Sequence, residues 1–227
     1  MDNSCAIIKF SKQQMNRVKV SYTEKDFAVD DFQNEVWKKA EEIKINKYWS
    51  GYSAKNARNA KVWLVWSENA FYIQFEGNQK EPLIVSNKPN IIEKSQKLWE
   101  RDVFEIFVAP GTDKAESYFE FEVAPTGEWL DVKLEILSGG GRKSNFNYNS
   151  GMKVGAKILD NKVLAAVKIQ WQAFGKKPQN GEVWRGNLFR CIGSGAARGY
   201  LAWQPTLTET PNFHVPEAFG EFEFTKD

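Results

Sequence analysis

Two consecutive segments of alternating apolar side chains constrain the fold of this chain more than any other feature. They cover residues 99–110 and residues 118–127, and each alternates in the manner of a half-buried strand. Residues 111–114, with the sequence Gly-Thr-Asp-Lys, supply a loop between them. The two segments therefore predict a β-hairpin with one buried face.

The register of this hairpin predicts a pair of facing carboxylates. Stacking the apolar sets of the two strands places Glu105 roughly opposite Glu122 on the other face, and Glu120 near Phe107. Like charges directly opposite each other on neighbouring strands destabilise a sheet. We therefore expect the pair to have a role, which the sequence leaves open between hydrogen bonding to a polar ligand, binding of a cation and acid–base chemistry.

The rest of the chain is typical of an all-β protein. Its apolar patterns and turn signals indicate about eleven short strands with at most short helical turns, which predicts an antiparallel β-sandwich of the jelly-roll or immunoglobulin-like type. We expect a single domain over residues 1–227, in which residues 1–26 supply N-terminal extension strands. Two long polar stretches, residues 80–97 and 138–151, are expected to be loops, the second a flexible connection.

Composition argues against several classes of function. The 31 basic and 29 acidic residues give a net charge of +2, which does not favour nucleic-acid binding. The single histidine argues against a Ser-His-Asp site or a multi-histidine metal site, and we expect His214 to be structural. Cys5 and Cys191 form no disulfide framework, although one bond between them stays open. No apolar run approaches the roughly 20 residues of a membrane span.

Three segments together resemble the family 9 carbohydrate-binding modules. They are residues 99–110, residues 118–127 and the closing stretch 202–220, and the resemblance extends from about residue 27 to the end of the chain. It implies a β-sandwich related to the jelly roll and to DOMON domains. It also implies non-catalytic binding of a mono- or oligosaccharide, often at a chain end, between two tryptophan rings.

The resemblance also assigns roles to individual residues. It implies that Trp99 is the first stacking ring, that Glu105 bonds sugar hydroxyls and that Trp203 is the second ring. Arg101, which shares the strand face of Glu105, and Glu122, which lies opposite it, join these residues from the strand pattern. The candidate ligand-binding residues are therefore Trp99, Arg101, Glu105, Glu122 and Trp203, with no catalytic residue. From the residues alone, other interpretations stay open: Trp99 and Trp203 as rim or core aromatics, and Glu105 as part of a solvated strand face paired with Arg101.

The resemblance sets further expectations for metals, partners and location. No cofactor is required, and a structural calcium would use loop carboxylates such as Asp30, Asp31, Asp102 and Asp113. The expected partners are a saccharide and a glycan-degrading enzyme, in the use of xylan or glucan, with no nucleic acid and no membrane span. The first residues lack a basic region followed by an apolar one, so export is expected only if a leader has been removed.

Three alternative functions stay open. Glu122 and Ala124 stand where sugar-binding members of the family carry basic and amide side chains, which favours a scaffold or interaction module without sugar binding. Glu105 and Glu122 at the spacing expected across two strands would suit a retaining glycoside hydrolase. A DOMON-type haem domain would have to draw its ligands from residues such as Met152 and His214.

Overall fold

The computed structural model describes residues 15–111, 117–138 and 141–226. These residues contain fourteen strands, one five-residue α-helix and short 3₁₀ turns. The helix is α1 (Glu35–Lys39), and the 3₁₀ turns are Asn56–Arg58, Leu98–Glu100, Trp171–Phe174, Gly195–Ala197 and Pro216–Ala218. The strands are β1 (Arg17–Tyr22), β2 (Ile43–Ile45), β3 (Lys47–Tyr48), β4 (Ala60–Trp66), β5 (Ala70–Asn78), β6 (Val103–Ala109), β7 (Ser117–Val123), β8 (Trp129–Ile136), β9 (Arg142–Asn145), β10 (Lys153–Leu159), β11 (Lys162–Gln170), β12 (Val183–Ile192), β13 (Gly199–Ala202) and β14 (Gly220–Thr225).

The strands form one curled sheet that folds back into two packed layers. Eleven strands follow each other in the order β10-β11-β5-β4-β1-β14-β12-β6-β7-β8-β9, while β2 pairs with β4, and β13 pairs with β12 and β3. The all-β class is confirmed. The sheet is mixed because β1 runs parallel to both β4 and β14, whereas the other pairings of the described strands are antiparallel. No hairpin turn ties β1 to either neighbour, so its direction is free to differ.

The main core lies between the two layers and confirms the hairpin prediction. The inward side chains of β6 and β7 are buried, and Phe104 of β6 stacks on Phe75 of β5 with ring centroids 5.0 Å apart. The predicted register is also confirmed, because Glu105 pairs with Glu122 and Phe107 pairs with Glu120. The apolar alternation therefore fixes which side chains of the hairpin face each other.

The opposite face of the hairpin is buried as well, which corrects the expectation of one buried face. Every residue of β6 is buried. Phe107 and Tyr118 on this outer face belong to a second apolar cluster that includes Leu98, Phe213 and Phe219. These covering residues come from segments distant in sequence, so the alternation within β6 and β7 carries no signal of them.

Three strands were not predicted. The stretch expected to be a flexible connection contains β9, which pairs with the outer edge of β8. The sequence of β9 is Arg-Lys-Ser-Asn, which has no apolar alternation because an edge strand needs only backbone hydrogen bonds on one side. The other two, β2 and β3, have three and two residues and are too short for a period-two signal.

Two further expectations concern the cysteines and membranes. Cys191 is a buried, free thiol, and Cys5 lies outside the described residues, as does the strand expected near it. Over the described parts of the chain, none of the helices has the length and apolar character that crossing a membrane requires.

Trp203 belongs to the main core, and a glycine makes room for it. The side chain is 8% exposed, and its ring is nearly parallel to that of Phe222 with centroids 5.7 Å apart. A Cβ atom on Gly220 would lie 2.5 Å from this ring. The position therefore needs glycine for reasons of space.

Replacing Gly220 by alanine is expected to lower the free energy of unfolding by about 1–3 kcal/mol, since overpacking forces neighbouring groups to shift. Urea denaturation measures the change. Glu223→Ala on the same strand is the control, because this partly exposed side chain should change stability by less than about 0.5 kcal/mol. Equal stability of Gly220→Ala and the wild type would contradict the crowding.

Candidate functional site

A cleft of about 640 Å³ opens on the outer face of the β6–β7 hairpin. Its floor includes Glu105 and Glu120 together with Cys191 of β12. Its walls carry aromatic side chains, among them Trp99 and Tyr200. A concave site with apolar walls and a few convergent polar groups is the usual form of a small-ligand site.

Of two other concavities, one lacks apolar walls and the other has its Asp26 and Lys226 held in ion pairs. One of about 450 Å³ is lined by lysine, asparagine and glutamate side chains with a single alanine, and its Lys61 is paired with Glu42 at 2.6 Å. Another of about 650 Å³ lies between residues 21–27, α1 and Lys226. Lys226 there is held by Glu68 at 2.6 Å. We therefore take the cleft above the hairpin as the candidate site.

Trp99 stands at the edge of this cleft with its ring partly open to solvent. It is 37% exposed and lies in the 3₁₀ turn Leu98–Glu100, whose first residue is fully buried and anchors the turn. The ring lies beside that of Phe146, with centroids 6.3 Å apart and planes tilted by 37°. Arg198 donates from Nη2 to the carbonyl oxygen of Trp99 at 2.5 Å and to that of Arg101 at 2.7 Å. The indole is thus an accessible apolar surface on a tethered turn.

The floor of the cleft holds buried carboxyl groups with few partners. Glu105 is 2% exposed and Glu120 is 6% exposed. Glu105 accepts a hydrogen bond from the Cys191 thiol at 3.4 Å. Glu122, opposite Glu105 on the neighbouring strand, is fully buried, and neither of its carboxyl oxygens has a hydrogen-bond partner among the described residues. Burial without a cation is costly for an ionised carboxylate, so these groups favour their protonated forms.

The pKa values of the three carboxyls follow from this burial. Loss of hydration, followed by repulsion from Glu120, raises the pKa of Glu105 to about 8. Loss of hydration raises the pKa of Glu120 to about 7, although its neighbours Glu122 and Arg142 oppose the rise. Burial, followed by the charges of Glu105 and Glu120, raises the pKa of Glu122 well above its ordinary value. Glu122 therefore keeps its proton.

Among the cleft residues that were not predicted to bind ligand are two arginines and the histidine, which come from distant segments. Arg142 on β9 and Arg198 lie along the cleft, and each exerts only a long-range attraction on the floor carboxyls. His214 accepts or donates a hydrogen bond at Nδ1 with the Tyr118 hydroxyl, 2.9 Å away. Burial lowers the pKa of His214 to about 3, so the ring is neutral. The histidine is held by a structural contact, as expected, and it also lines the cleft.

Of the five predicted ligand-binding residues, the structure brings Trp99 and Glu105 together at the cleft. Arg101 donates instead to Glu128 at 2.7 Å, which keeps its guanidinium away from the lining. Glu122 is fully buried beside Glu105 and does not line the cleft, and Trp203 lies in the core between the layers. The cleft has its other aromatic groups at Phe146, Tyr200 and Phe213. The positions of these rings depend on the loops that cover the hairpin, so strand alternation could not reveal them.

The aspartates predicted to bind calcium lie apart from each other, and each described one makes its own local contacts. Asp102 is buried and accepts backbone N–H groups from Gly193 at 2.7 Å and Ile84 at 3.2 Å, so it ties two loops to the start of β6. Asp31 accepts from the side chain of Asn34 at 2.8 Å. Asp30 lies against Gly155, and Asp113 is outside the described residues. Within residues 15–111, 117–138 and 141–226, no three acidic, histidine or cysteine side chains form a group suited to a metal.

The two-layer β-fold and its aromatic-walled cleft define a small-ligand-binding β-sandwich domain. The family model described as "Carbohydrate family 9 binding domain-like" matches residues 29–227. The chain therefore belongs to this family of carbohydrate-binding domains, as the closing and central motifs predicted. No curated protein shows significant similarity to the chain.

Solved structures with the same fold include three of related type. One is a provisionally named carbohydrate-binding protein from Bacteroides uniformis ATCC 8492, with 16% identity and a TM-score of 0.71 over 92% of this chain and 99% of that one. Another is a family 9 module from Caldicellulosiruptor kristjanssonii in complex with cellotriose, with 20% identity and a TM-score of 0.63 over 93% and 95% of the two chains. A module from the same organism in complex with glucose has 21% identity and a TM-score of 0.62 over 93% and 97%.

Proposed function

We propose that this domain binds a mono- or oligosaccharide, without catalysis, in the cleft above the β6–β7 hairpin. The observation that carries the proposal is the partly exposed Trp99 ring at the edge of a cleft floored by carboxyls. An indole offers the flat apolar surface on which the C–H face of a pyranose stacks, and carboxyl groups bond its hydroxyls. Related modules in complex with glucose and cellotriose support a gluco-configured ligand.

Each residue of the cleft takes a distinct part in this proposal. Trp99 stacks on the sugar ring, and Phe146 extends the apolar surface beside it. Glu105 and Glu120 accept or donate hydrogen bonds at the floor. Tyr200, rather than the buried Trp203, supplies the second aromatic surface. A domain with this role would serve a glycan-degrading enzyme in the use of glucan or xylan.

The same geometry argues against Glu105 and Glu122 as the carboxyl pair of a glycoside hydrolase. A retaining glycosidase needs two carboxyls about 5 Å apart that both reach the glycosidic bond. Glu105 has Glu122 opposite it in the register, but Glu122 is fully buried and does not line the cleft. Glu105 therefore lacks this partner on the ligand side.

Isothermal titration with glucose, cellobiose and cellotriose tests the proposal. We expect saturable binding that Glu105→Ala weakens by up to about tenfold, since a hydrogen bond of a neutral carboxyl contributes about 0.5–1.5 kcal/mol. The matched control is Glu76→Ala, because Glu76 lies on β5 and pairs at the surface with Lys162 at 2.6 Å. This control is expected to bind as the wild type does.

Two outcomes would contradict the proposal. One is the absence of binding to any saccharide of a broad panel by the folded protein, which would favour an interaction scaffold. The other is hydrolysis of aryl glycosides by the wild type that is lost in Glu105→Gln.

A further inference from the structure

The floor of the cleft holds buried carboxyl groups that no positively charged side chain of the described residues pairs with. Glu105 and Glu120 are both more than nine-tenths buried and face the cleft, and the fully buried Glu122 lies opposite Glu105 in the register. The Cys191 thiol is the described hydrogen-bond partner of Glu105, and no described cation is paired with Glu105 or Glu120. A buried acid without a cation is costly to ionise, so a cationic ligand group would relieve this cost.

The basic residues of the cleft do not pair with these carboxyl groups. The guanidinium of Arg198 donates hydrogen bonds to the backbone carbonyl oxygens of Gly193, Trp99 and Arg101. Arg142 on β9 is exposed and acts on Glu120 only at long range. His214 is held neutral by its burial. The floor therefore presents carboxyl groups to a ligand without a positive side chain bound to them.

We propose that the preferred ligand is an amino sugar with a free, protonated amino group, which sits on Glu105 and Glu120 while Trp99 stacks on the sugar ring. This inference rests on the proposed saccharide-binding function and narrows it to one class of ligand. An ammonium group has three donors and matches two neighbouring carboxyl groups, whereas a hydroxyl has one donor. Hydrogen bonds between charged partners are also roughly twice as strong as those between neutral ones.

The inference predicts a pH dependence with a definite sign. The ammonium needs an ionised carboxylate, and Glu120, whose pKa is raised to about 7, ionises before Glu105, whose pKa is raised to about 8. Affinity for the amine should therefore rise as the pH increases from about 5.5 to about 7.5, until the amine itself loses its proton. The other titratable and charged groups at the cleft are Glu100, Glu122, Arg142, Cys191, Arg198, Tyr200 and His214 with its partner Tyr118. Among them, His214 stays neutral throughout this range because its pKa is lowered to about 3.

Isothermal titration with glucosamine, N-acetylglucosamine and glucose at equal ionic strength provides the test. We expect glucosamine to bind about tenfold more tightly than the other two, because a charged hydrogen bond adds about 1.4 kcal/mol, a factor of ten. Glu120→Gln should reduce this preference to parity, and Glu105→Gln is the second variant if the first does not fold. Glu76→Gln, at the surface of β5, should leave the preference unchanged.

The outcomes separate this inference from the broader function. Equal binding of glucosamine and N-acetylglucosamine would overturn the amino-sugar inference and leave saccharide binding intact. A preference for glucosamine that survives in both glutamine variants would also overturn it. Failure of all three sugars and of longer oligosaccharides to bind would instead overturn the proposed function itself.

Discussion

Trp99→Ala is expected to abolish measurable saccharide binding while the protein stays folded. The substitution removes the stacking surface, and the apolar contact of one large side chain contributes about 2 kcal/mol, or roughly thirtyfold in affinity. A small saccharide buries little surface, so a loss of this size takes binding below detection. The indole is 37% exposed and its ring contact is with Phe146 at the surface, so stability should fall by less than about 1 kcal/mol.

Trp203→Ala is the matched control for this experiment. Its ring is enclosed in the core, so truncation is expected to cost about 3–5 kcal/mol of unfolding free energy. Thermal unfolding and calorimetric titration of both variants give a crossed pattern: binding lost at Trp99 and stability lost at Trp203. The reverse pattern, with Trp99→Ala strongly destabilised, would show that Trp99 is a core residue.

The stability of the ligand-free protein is expected to fall by about 2–3 kcal/mol between about pH 6.5 and pH 8.5, since each pKa unit corresponds to about 1.4 kcal/mol. The pKa values of Glu105 and Glu120 are raised to about 8 and about 7 in the folded protein, against an ordinary value of 4.5. Such groups stabilise the fold fully below pH 4.5, and the stability is lost as the pH rises through the folded values. Because burial lowers the pKa of His214 to about 3, its contribution makes stability rise with pH up to about 6.5, the ordinary pKa of histidine. This rise opposes the loss from the glutamates, so the measurement starts at about pH 6.5.

Glu105→Gln isolates the cause of this pH dependence. The glutamine amide does not titrate, so the group with the higher folded pKa, about 8, no longer contributes. Urea denaturation across the pH series should show a shallower slope, with about 1–2 kcal/mol less loss of stability between about pH 6.5 and pH 8.5. Glu76→Gln should retain the wild-type slope. A slope shared by all three proteins would place the titrating groups elsewhere in the molecule.

The sequence predicts the architecture and the hairpin register because both depend on a local, period-two pattern. Glu105 faces Glu122 as expected, since a slip of one residue would turn Phe104 away from the core between the layers and put Glu105 there. The burial of the outer face could not be predicted in the same way. Its cover comes from residues such as Leu98 and Phe213, whose docking depends on contacts made only in the folded protein.

The candidate site was predictable only in part, for the same reason. Trp99 and Glu105 lie in one strand-and-turn motif, so a sequence motif identifies both. Arg142 and Arg198 reach the cleft from β9 and from a 3₁₀ turn far along the chain. Trp203 shows the limit of motif reasoning, because the space left by Gly220, seventeen positions later, directs its ring to the core.

The parallel strand β1 bears on how the molecule assembles. Arg17 lies beside Glu221, a separation of 204 positions, and β1 is the strand that links β4 to β14. The strands on either side of the β1–β14 pair can form hairpins early, but this pair joins segments from opposite ends of the described chain. Contacts so remote in sequence carry a large loop-closure entropy and form slowly. During synthesis on a ribosome, β1 and β14 therefore pair only after β14 has emerged, and in a nascent chain lacking β14 the edge of β1 is unpaired.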